Sequence, residues 1–472
     1  MTNRRHVKYL LLLIALLPLP LRAENKNDCP SCAQGSIERA VHQDASKVKA
    51  GATPSNVELD LGDRNDHYRR ELEALHERVN LADAQLSQLE INSFSPTTKL
   101  SVQSSFVVGG NAFYGSASSL VETSQGLYGA ATFNYDTRLI LDSSFNGSDL
   151  LRIRLRAGNF DSTSNSFGGG GPSVLSQLEV AFQEPTGSSV LAVNRLYYQV
   201  PLGDFTFTLG ATIMQDDMMA IWPSLYPSET VLDLMTFGGA IGANDLSLGS
   251  GLGLWWRKDG FAVSALYIAS NGNYGNPENG GFFTPHSGST TSVQIGYSKD
   301  QWAIAAMYSA VQNGAGLIPY ATDFALLSFE QPGNTSALGL NGYWQPSRSG
   351  WIPSISAGWG INHTTYDLDQ GINGLVQTSQ SWALGLLWSD AFYKDNTLGF
   401  AVGQAVYALS TYGQASPDDS NLVLEASYKV RMTDNISVMP AIFYLYRPLG
   451  ASTPDGESFN QLGGLVRITF RL

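Results

Sequence analysis

Apolar and polar side chains alternate along the sequence from Lys99 to Leu472. Leu151, Ile153 and Leu155, for example, alternate with arginines. Successive side chains of a β-strand point to opposite faces of a sheet, so each alternating segment predicts a strand with one apolar face and one wet face. A chain patterned in this way over most of its length is expected to form a large sheet that separates an apolar medium from water.

The connections between the alternating segments differ in length in a regular way. Sixteen strands are predicted, near residues 98–108, 130–141, 150–158, 190–200, 204–213, 249–257, 261–270, 290–298, 301–310, 335–345, 351–361, 379–388, 397–408, 421–432, 435–446 and 462–472. Every second connection is a tight turn such as 299–300, whereas the others are long and rich in Gly, Ser, Asn and Pro, such as 214–248. Bacterial outer-membrane barrels combine an even strand number with short periplasmic turns and long outer loops. The predicted fold class is therefore all-β, an antiparallel transmembrane barrel of about sixteen strands over residues 97–472.

Two further features bear on this strand count. Residues 177–182 also alternate, but a seventeenth strand would reverse the order of short and long connections, so this segment is assigned to the 159–189 loop. Six tryptophans are predicted at strand ends beside the short turns: Trp255, Trp256, Trp302, Trp344, Trp351 and Trp388. Indole rings favour the membrane–water interface because the ring is apolar and its N–H needs a partner.

Composition favours a barrel over other classes. Charged residues make up 15 % of the chain, below the roughly 25 % of soluble domains. No internal run reaches the roughly 20 apolar residues of a membrane-spanning helix. The net charge is −13, with neither a basic tail nor a Lys/Arg cluster on a helix face, so nucleic acid is not an expected partner.

Three segments precede the predicted barrel. Residues 1–23 have a basic start, a short apolar stretch and a cleavage signal, which together predict a signal peptide and export. Residues 24–66 are polar and predict a linker. Residues 67–93 carry apolar side chains at 3-4-3-4-3 spacing, which predicts a short periplasmic coiled coil. A single amphipathic helix lying on the barrel would show the same stripe, so that alternative stays open.

The chain offers little for a metal, a cofactor or a catalytic centre. Cys29 and Cys32 form a CxxC pair, but zinc needs four ligands and no second pair exists, so a local disulfide or two idle thiols is predicted. The six histidines are scattered, and neither HExxH nor GxSxG occurs. An enzyme is therefore not expected. An energised receptor would need a large N-terminal plug, and a structural or adhesive barrel is the remaining alternative.

The functional residues are expected inside the barrel. Strand parity points five arginines into the lumen: Arg138, Arg152, Arg154, Arg156 and Arg195. Facing lipid, an arginine would cost about 2–4 kcal/mol at the membrane midplane. The 214–248 connection is predicted to be a constriction loop, with Asp216, Asp217, Glu229, Asp233 and Asp245 as acids and Trp222 as a brace. Opposed charges across a narrow pore would filter ions by size and sign; the alternative is that these residues only solvate a wide lumen.

From about Glu71 to the C-terminus the sequence resembles the cyanobacterial iron-uptake porins, relatives of the carbohydrate-selective (OprB-like) porins. The resemblance lies in the segments LSQLEINSFSPTTKL, DLLRIRLRAGNF, QDDMMAIWPSLYPSETVLD, GYWQPSRSGWIPSISAGWG, DNISVMPAIFYLYRPLG and FNQLGGLVRITFRL. It implies a homotrimer of barrels in outer-membrane lipid and passive diffusion of small hydrophilic solutes or inorganic ions, with iron among the cargoes and carbohydrates as the alternative. Family members usually carry a surface-layer-homology domain before the coiled coil. Residues 24–66 are too few and too polar for one, so wall tethering by that route is not expected.

Overall fold

The computed structural model describes residues 97–226, 230–312 and 318–472. The predicted signal peptide, linker and coiled coil, at residues 1–23, 24–66 and 67–93, lie outside the described residues. Within the described part, no helix is both long enough and apolar enough to cross a membrane.

The described part of the chain contains sixteen β-strands and two short α-helices, joined by turns and loops. The strands are β1 Thr98–Tyr114, β2 Thr132–Ser143, β3 Leu150–Gly158, β4 Ala192–Leu202, β5 Phe205–Met214, β6 Leu248–Lys258, β7 Phe261–Ala269, β8 Ser289–Lys299, β9 Trp302–Gln312, β10 Gly333–Trp344, β11 Ser354–Tyr366, β12 Val376–Ser389, β13 Thr397–Thr411, β14 Leu422–Arg431, β15 Ile436–Tyr446 and β16 Asn460–Arg471. The helices are α1 Ser118–Tyr128 and α2 Asp323–Phe329.

The strands form one closed antiparallel barrel. Each strand pairs with its neighbours in the sequence, and β1 closes the sheet by pairing with β16, with Val107 opposite Arg467. Closure leaves no unpaired sheet edge, which a β-structure needs in a membrane. The predicted count of sixteen is confirmed, and each predicted segment overlaps one strand. The segment 177–182 lies in a loop, where Leu178 forms an isolated bridge with Leu232.

Short turns and long loops lie at opposite ends of the barrel, as predicted. The turns include 203–204, 259–260 and 300–301, whereas the β3–β4 and β5–β6 loops span 159–191 and 215–247. The start of β1 and the end of β16 both lie at the short-turn end, because sixteen is an even number. Five of the six predicted tryptophans lie in strands at this end and Trp351 lies in the β10–β11 turn, which is the placement predicted for an interfacial ring.

The outer surface of the barrel is apolar. Along β5, Phe205, Phe207 and Leu209 are 46 %, 42 % and 60 % exposed, while the intervening Thr206 and Thr208 are buried on the inner side. Exposed apolar rows of this kind continue through β7, β8 and β9. So large an exposed apolar surface is stable only against another apolar phase, and lipid supplies it.

Loops from the long-loop end fill much of the lumen with an apolar core. Parts of the 159–191, 215–247 and 318–332 connections contribute to it, together with inward side chains of several strands. Phe167 packs edge-on against Phe443 with ring centroids 6.2 Å apart. The Tyr320 hydroxyl donates to Asp233 at 2.5 Å. These contacts narrow the barrel interior at the long-loop end and restrict where a solute could pass.

Candidate functional site: two unlike half-walls of the lumen

The inner surface of β6–β13 carries mainly small side chains and is called the small-residue half-wall below. Its inward positions are mostly Gly, Ala, Ser and Thr, such as Ser264, Ser309 and Gly358. A Cβ at Gly358 would lie 1.9 Å from the carbonyl oxygen of Gly238. Only glycine allows the loop backbone to approach the wall so closely.

The β5–β6 loop lies along this half-wall and is hydrogen-bonded to it strand by strand. The wall residues that make these bonds, on β7 to β12 in turn, are Ser264, Ser292, Ser309, Asn341, Ser356 and Ser381. For example, Ser309 Oγ donates to the Ala243 carbonyl oxygen at 2.6 Å, and Ser356 Oγ accepts from Leu225 N at 2.8 Å. Short hydroxyl side chains thus satisfy backbone groups that the loop buries.

Glu425 on β14 anchors the same loop beyond the edge of the small-residue half-wall. Its side chain is buried, with 1 % of the residue exposed. One oxygen accepts from the Tyr226 hydroxyl at 2.8 Å and from Val231 N at 3.3 Å, and the other accepts from Leu232 N at 2.8 Å. A buried carboxylate is costly unless donors surround it. Here the loop itself supplies those donors.

The inner surface of β14–β16 and β1–β4 carries charged and long polar side chains beside apolar ones such as Met439 and Phe443, and is called the charged half-wall below. Its inward set includes Lys429, Arg467, Arg471, Gln103, Arg138, Arg152, Arg154, Arg156 and Arg195. All five arginines predicted to point inward lie on it, on the consecutive strands β2, β3 and β4. Register explains this grouping, because Arg138 is opposite Arg156 and Arg154 is opposite Arg195.

Arg138 and Arg156 are largely covered and share one carboxylate. Their Nε atoms lie 2.7 Å and 2.6 Å from the two oxygens of Asp136, which is itself 1 % exposed. Arg138 Nη2 also lies 3.2 Å from Glu179 in the β3–β4 loop, and Arg467 Nη1 approaches the other Glu179 oxygen at 3.5 Å. These ion pairs tie the β3–β4 loop to the charged half-wall.

Arg152 is less covered than these two, and Arg154 lies beside it on β3. The Arg152 side chain is 33 % exposed and makes two parallel bonds to Asp142, Nε to Oδ1 at 2.8 Å and Nη2 to Oδ2 at 2.7 Å. Arg154 is half-buried, and its Nε donates to Asn194 Oδ1 at 2.8 Å while its Nη2 donates to the same oxygen. In the described part of the chain, Arg154 has no carboxylate within ion-pair distance.

The predicted acids of the β5–β6 loop lie in different surroundings. Asp217 Oδ2 is 2.7 Å from Arg195 Nε, so the structure brings this pair together. Asp216 is exposed beside it. Asp233 instead accepts from the Tyr320 hydroxyl.

The other predicted residues of this loop are Asp245, Trp222 and Glu229. Asp245 accepts from Thr290 Oγ1 at 2.5 Å, on the small-residue half-wall. Trp222 is half-buried. Glu229 lies outside the described residues. Among the residues that the structure describes, neither Asp233 nor Asp245 forms an ion pair with an arginine, so those two acids are not brought onto the arginines.

Several functional side chains were not singled out from the sequence. Asp136, Glu425 and Arg467 occupy inward positions of predicted strands, and strand parity applied to every charged residue would have found them. Asn194 faces inward beside Arg195 only because the β3–β4 pairing shifts register after Arg154. No sequence signal marks that shift.

Metal-binding geometry is lacking in residues 97–226, 230–312 and 318–472, where no three His, Cys, Asp or Glu side chains converge as ligands would. Many polar side chains of the lumen bond one another or the loops, as where Asn362 Nδ2 donates to Ser379 Oγ at 3.1 Å.

The sequence matches a protein-family model and is similar to proteins of two organisms. Residues 61–221 match the model of the carbohydrate-selective porin, OprB family. An uncharacterised protein of Nostoc sp. is 28 % identical over 443 residues, which cover 86 % of this chain and 70 % of that protein. An uncharacterised protein of Synechocystis sp. is 26 % identical over 438 residues, covering 85 % and 74 %.

Solved structures with a similar barrel include OprB of Pseudomonas putida and an anion-selective porin of Comamonas acidovorans. The first is 13 % identical, covers 80 % of this chain and 94 % of its own, and has a TM-score of 0.49. The second is 10 % identical, covers 79 % of this chain and 100 % of its own, and has a TM-score of 0.46.

Proposed function

We propose that this outer-membrane porin lets small hydrophilic solutes and inorganic ions diffuse passively through its lumen, along the charged half-wall. The family match over residues 61–221 and the closed sixteen-strand barrel support the porin assignment. The observation that carries the proposed path is the contrast between the half-walls. The β5–β6 loop covers the small-residue half-wall, whereas Arg152, Arg154 and Asp216 keep contact with water.

The charge of this path favours some solutes over others. Guanidinium groups attract anions and donate to hydroxyl oxygens, whereas they repel free metal cations. Small anions and neutral polyols, including the carbohydrates of the matched family's name, therefore suit the path. Inorganic iron, which the sequence resemblance suggests, would suit it as an anionic complex rather than as a free cation.

In this proposal the protein acts as a channel rather than as an enzyme or an energised receptor, and it needs no cofactor. The proposed pore-lining groups are Arg138, Arg152, Arg154, Arg156 and Arg195, and the proposed constriction residues are Asp216, Asp217, Trp222 and Asp233. A homotrimer in outer-membrane lipid, with the N-terminal segment in the periplasm, is part of the proposal. Chemical cross-linking of the detergent-purified protein tests the oligomeric state.

Planar-bilayer recording of the purified protein tests the proposed function. Stepwise ohmic conductance is expected, together with swelling of liposomes that hold the protein in a monosaccharide solution. Replacing Arg152, Arg154 and Arg156 by alanine together is expected to lower the preference for anions, because three positive charges leave the path. A protein that folds as a barrel but neither conducts ions nor passes sugars would overturn the proposal. Unchanged ion selectivity in the triple variant would refute the path along these arginines.

A further inference from the structure

Two neighbouring inward arginines of β3 are held in the same way by different partners. Arg152 donates from Nε and Nη2 to Asp142, a carboxylate. Arg154, two residues further along, donates from the same two nitrogens to Asn194, a neutral amide. The same two nitrogens are used in both, but Arg152 donates to the two oxygens of a carboxylate and Arg154 donates to the single oxygen of a neutral amide.

The orientation of the Asn194 amide follows from its neighbours. Arg154 Nε, Arg154 Nη2 and Arg195 Nη1 all point N–H groups at one side-chain atom of Asn194, and only the carbonyl oxygen can accept them. Arg195 Nη1 also donates to the Asn194 backbone carbonyl oxygen at 2.8 Å. Asn194 is 7 % exposed, so its side chain is fixed by these donors rather than by water.

Asn194 leaves the positive charge of Arg154 uncompensated. The other four inward arginines of β2, β3 and β4 each contact a carboxylate: Arg138 and Arg156 contact Asp136, Arg152 contacts Asp142, and Arg195 contacts Asp217. For Arg154, no described carboxylate reaches ion-pair distance, and the nearby Asp217 is already bonded to Arg195. A guanidinium fixed by a neutral acceptor keeps its full charge and its remaining N–H donors.

We infer that Arg154, positioned by Asn194, is the point at which the pore binds oxyanions in transit, such as the carboxylate or phosphate groups of small solutes. Arg154 points inward from β3 beside Arg152 and is half-buried, so part of its side chain remains accessible. A fork-shaped donor held rigidly at the wall suits the planar or tetrahedral oxygens of these groups. The inference rests on the proposed channel function and names its solute class. Asn194 is a positioning residue in this account.

Two isosteric substitutions, which change the charge of the lumen in opposite directions, test the inference in planar bilayers. Asn194→Asp would pair Arg154 as Asp142 pairs Arg152, and Asp142→Asn would release Arg152. In a KCl gradient, the chloride-to-potassium permeability ratio is expected to fall about fivefold in Asn194→Asp, the Boltzmann weight of one unit charge about 4 Å away in water. The same permeability ratio is expected to rise about fivefold in Asp142→Asn. In the double variant it is expected to lie close to the wild-type value. Current block by added inorganic phosphate should weaken in Asn194→Asp and strengthen in Asp142→Asn.

Controls separate failure of this inference from failure of the channel function. Asn276→Asp introduces the same charge in the exposed β7–β8 loop, where the side-chain oxygen accepts from Glu278 N, and should leave the ratio unchanged. A silent wild-type protein would overturn the channel function and this inference together. A conducting wild type whose ratio and phosphate block are the same in all variants would overturn the oxyanion site alone. If Asn194→Asp does not fold, Arg154→Lys decides: the lysine keeps the charge but not the forked donors, so phosphate block should weaken at a nearly unchanged permeability ratio, and unchanged block would overturn the site.

Discussion

The two half-walls of the lumen are built from the same kind of strand but have opposite roles. On β6–β13, small inward side chains let the β5–β6 loop approach to hydrogen-bonding distance of six strands. On β14–β16 and β1–β4, charged side chains occupy many inward positions; Arg156 and Arg467 lie under the loops, whereas Arg152 is 33 % exposed. Small inward residues thus let a loop backbone lie against the wall, whereas charged inward residues hold a loop through side-chain contacts or stay open to water.

Physical chemistry explains why the two roles separate. A loop backbone brought against a wall needs space and short polar partners, which Gly and Ser provide. Buried arginine side chains need acceptors, so a loop that lies over them is held by side-chain contacts, as where Arg467 Nη1 donates to the Thr230 carbonyl oxygen at 3.2 Å. A single sheet can therefore form both a scaffold for the constriction and a charged path beside it.

The largest loss of stability is expected at Glu425, the residue of the charged half-wall that holds the β5–β6 loop. Glu425→Ala removes the acceptor for Tyr226 OH, Val231 N and Leu232 N. Leaving these donors buried without a partner is expected to cost about 3 kcal/mol or more. Urea unfolding of the detergent-solubilised barrel, followed by its electrophoretic heat-modifiability, measures the loss. Glu425→Gln keeps one acceptor oxygen and should cost less; equal stability of the alanine variant and wild type would contradict the anchoring role.

A smaller effect is expected where space alone is changed. Gly358→Ala forces the loop away from the small-residue half-wall, because the new Cβ would meet the Gly238 carbonyl oxygen. Overpacking of this kind costs about 1–3 kcal/mol, and displacement of the loop should also change single-channel conductance. Gly110→Ala, on the outer face of β1, controls for the loss of a strand glycine, since its Cβ would have no neighbour nearer than 3.5 Å. A Gly358→Ala variant as stable as Gly110→Ala would mean that the loop does not need the space that Gly358 leaves.

The smallest effect is expected from a single hydroxyl. Ser381 Oγ accepts from Ile241 N at 3.2 Å and donates to the Gly239 carbonyl oxygen at 2.8 Å. Ser381→Ala should destabilise the barrel by about 1 kcal/mol and increase current noise, because the loop loses one attachment. Ser427→Ala on the charged half-wall is the control, because among the described residues it removes no hydrogen bond to a loop. Its urea unfolding midpoint and its current noise are expected to equal those of the wild type. A larger loss in Ser427→Ala than in Ser381→Ala would count against the assignment of the two half-walls.

The barrel was predictable because it rests on local patterns. Period-two alternation and the alternate lengths of the connections give the strands, and parity gives the inward direction of Arg152, Arg154 and Arg156. The partners of these arginines were not predictable, because they depend on register between strands and on loop paths. Asp136 lies on a neighbouring strand, Asn194 depends on a register shift, and Glu179 comes from a loop without periodicity.

Cysteine accessibility tests directly whether solute passes along the charged half-wall. With Cys29 and Cys32 replaced by serine, Ser101→Cys places a thiol on the inner face of β1, and Ser309→Cys places one beneath the loop on β9. A membrane-impermeant methanethiosulfonate reagent, added during single-channel recording, is expected to modify Ser101→Cys and reduce its conductance while leaving Ser309→Cys unchanged. Block of Ser309→Cys with no effect on Ser101→Cys would contradict the account.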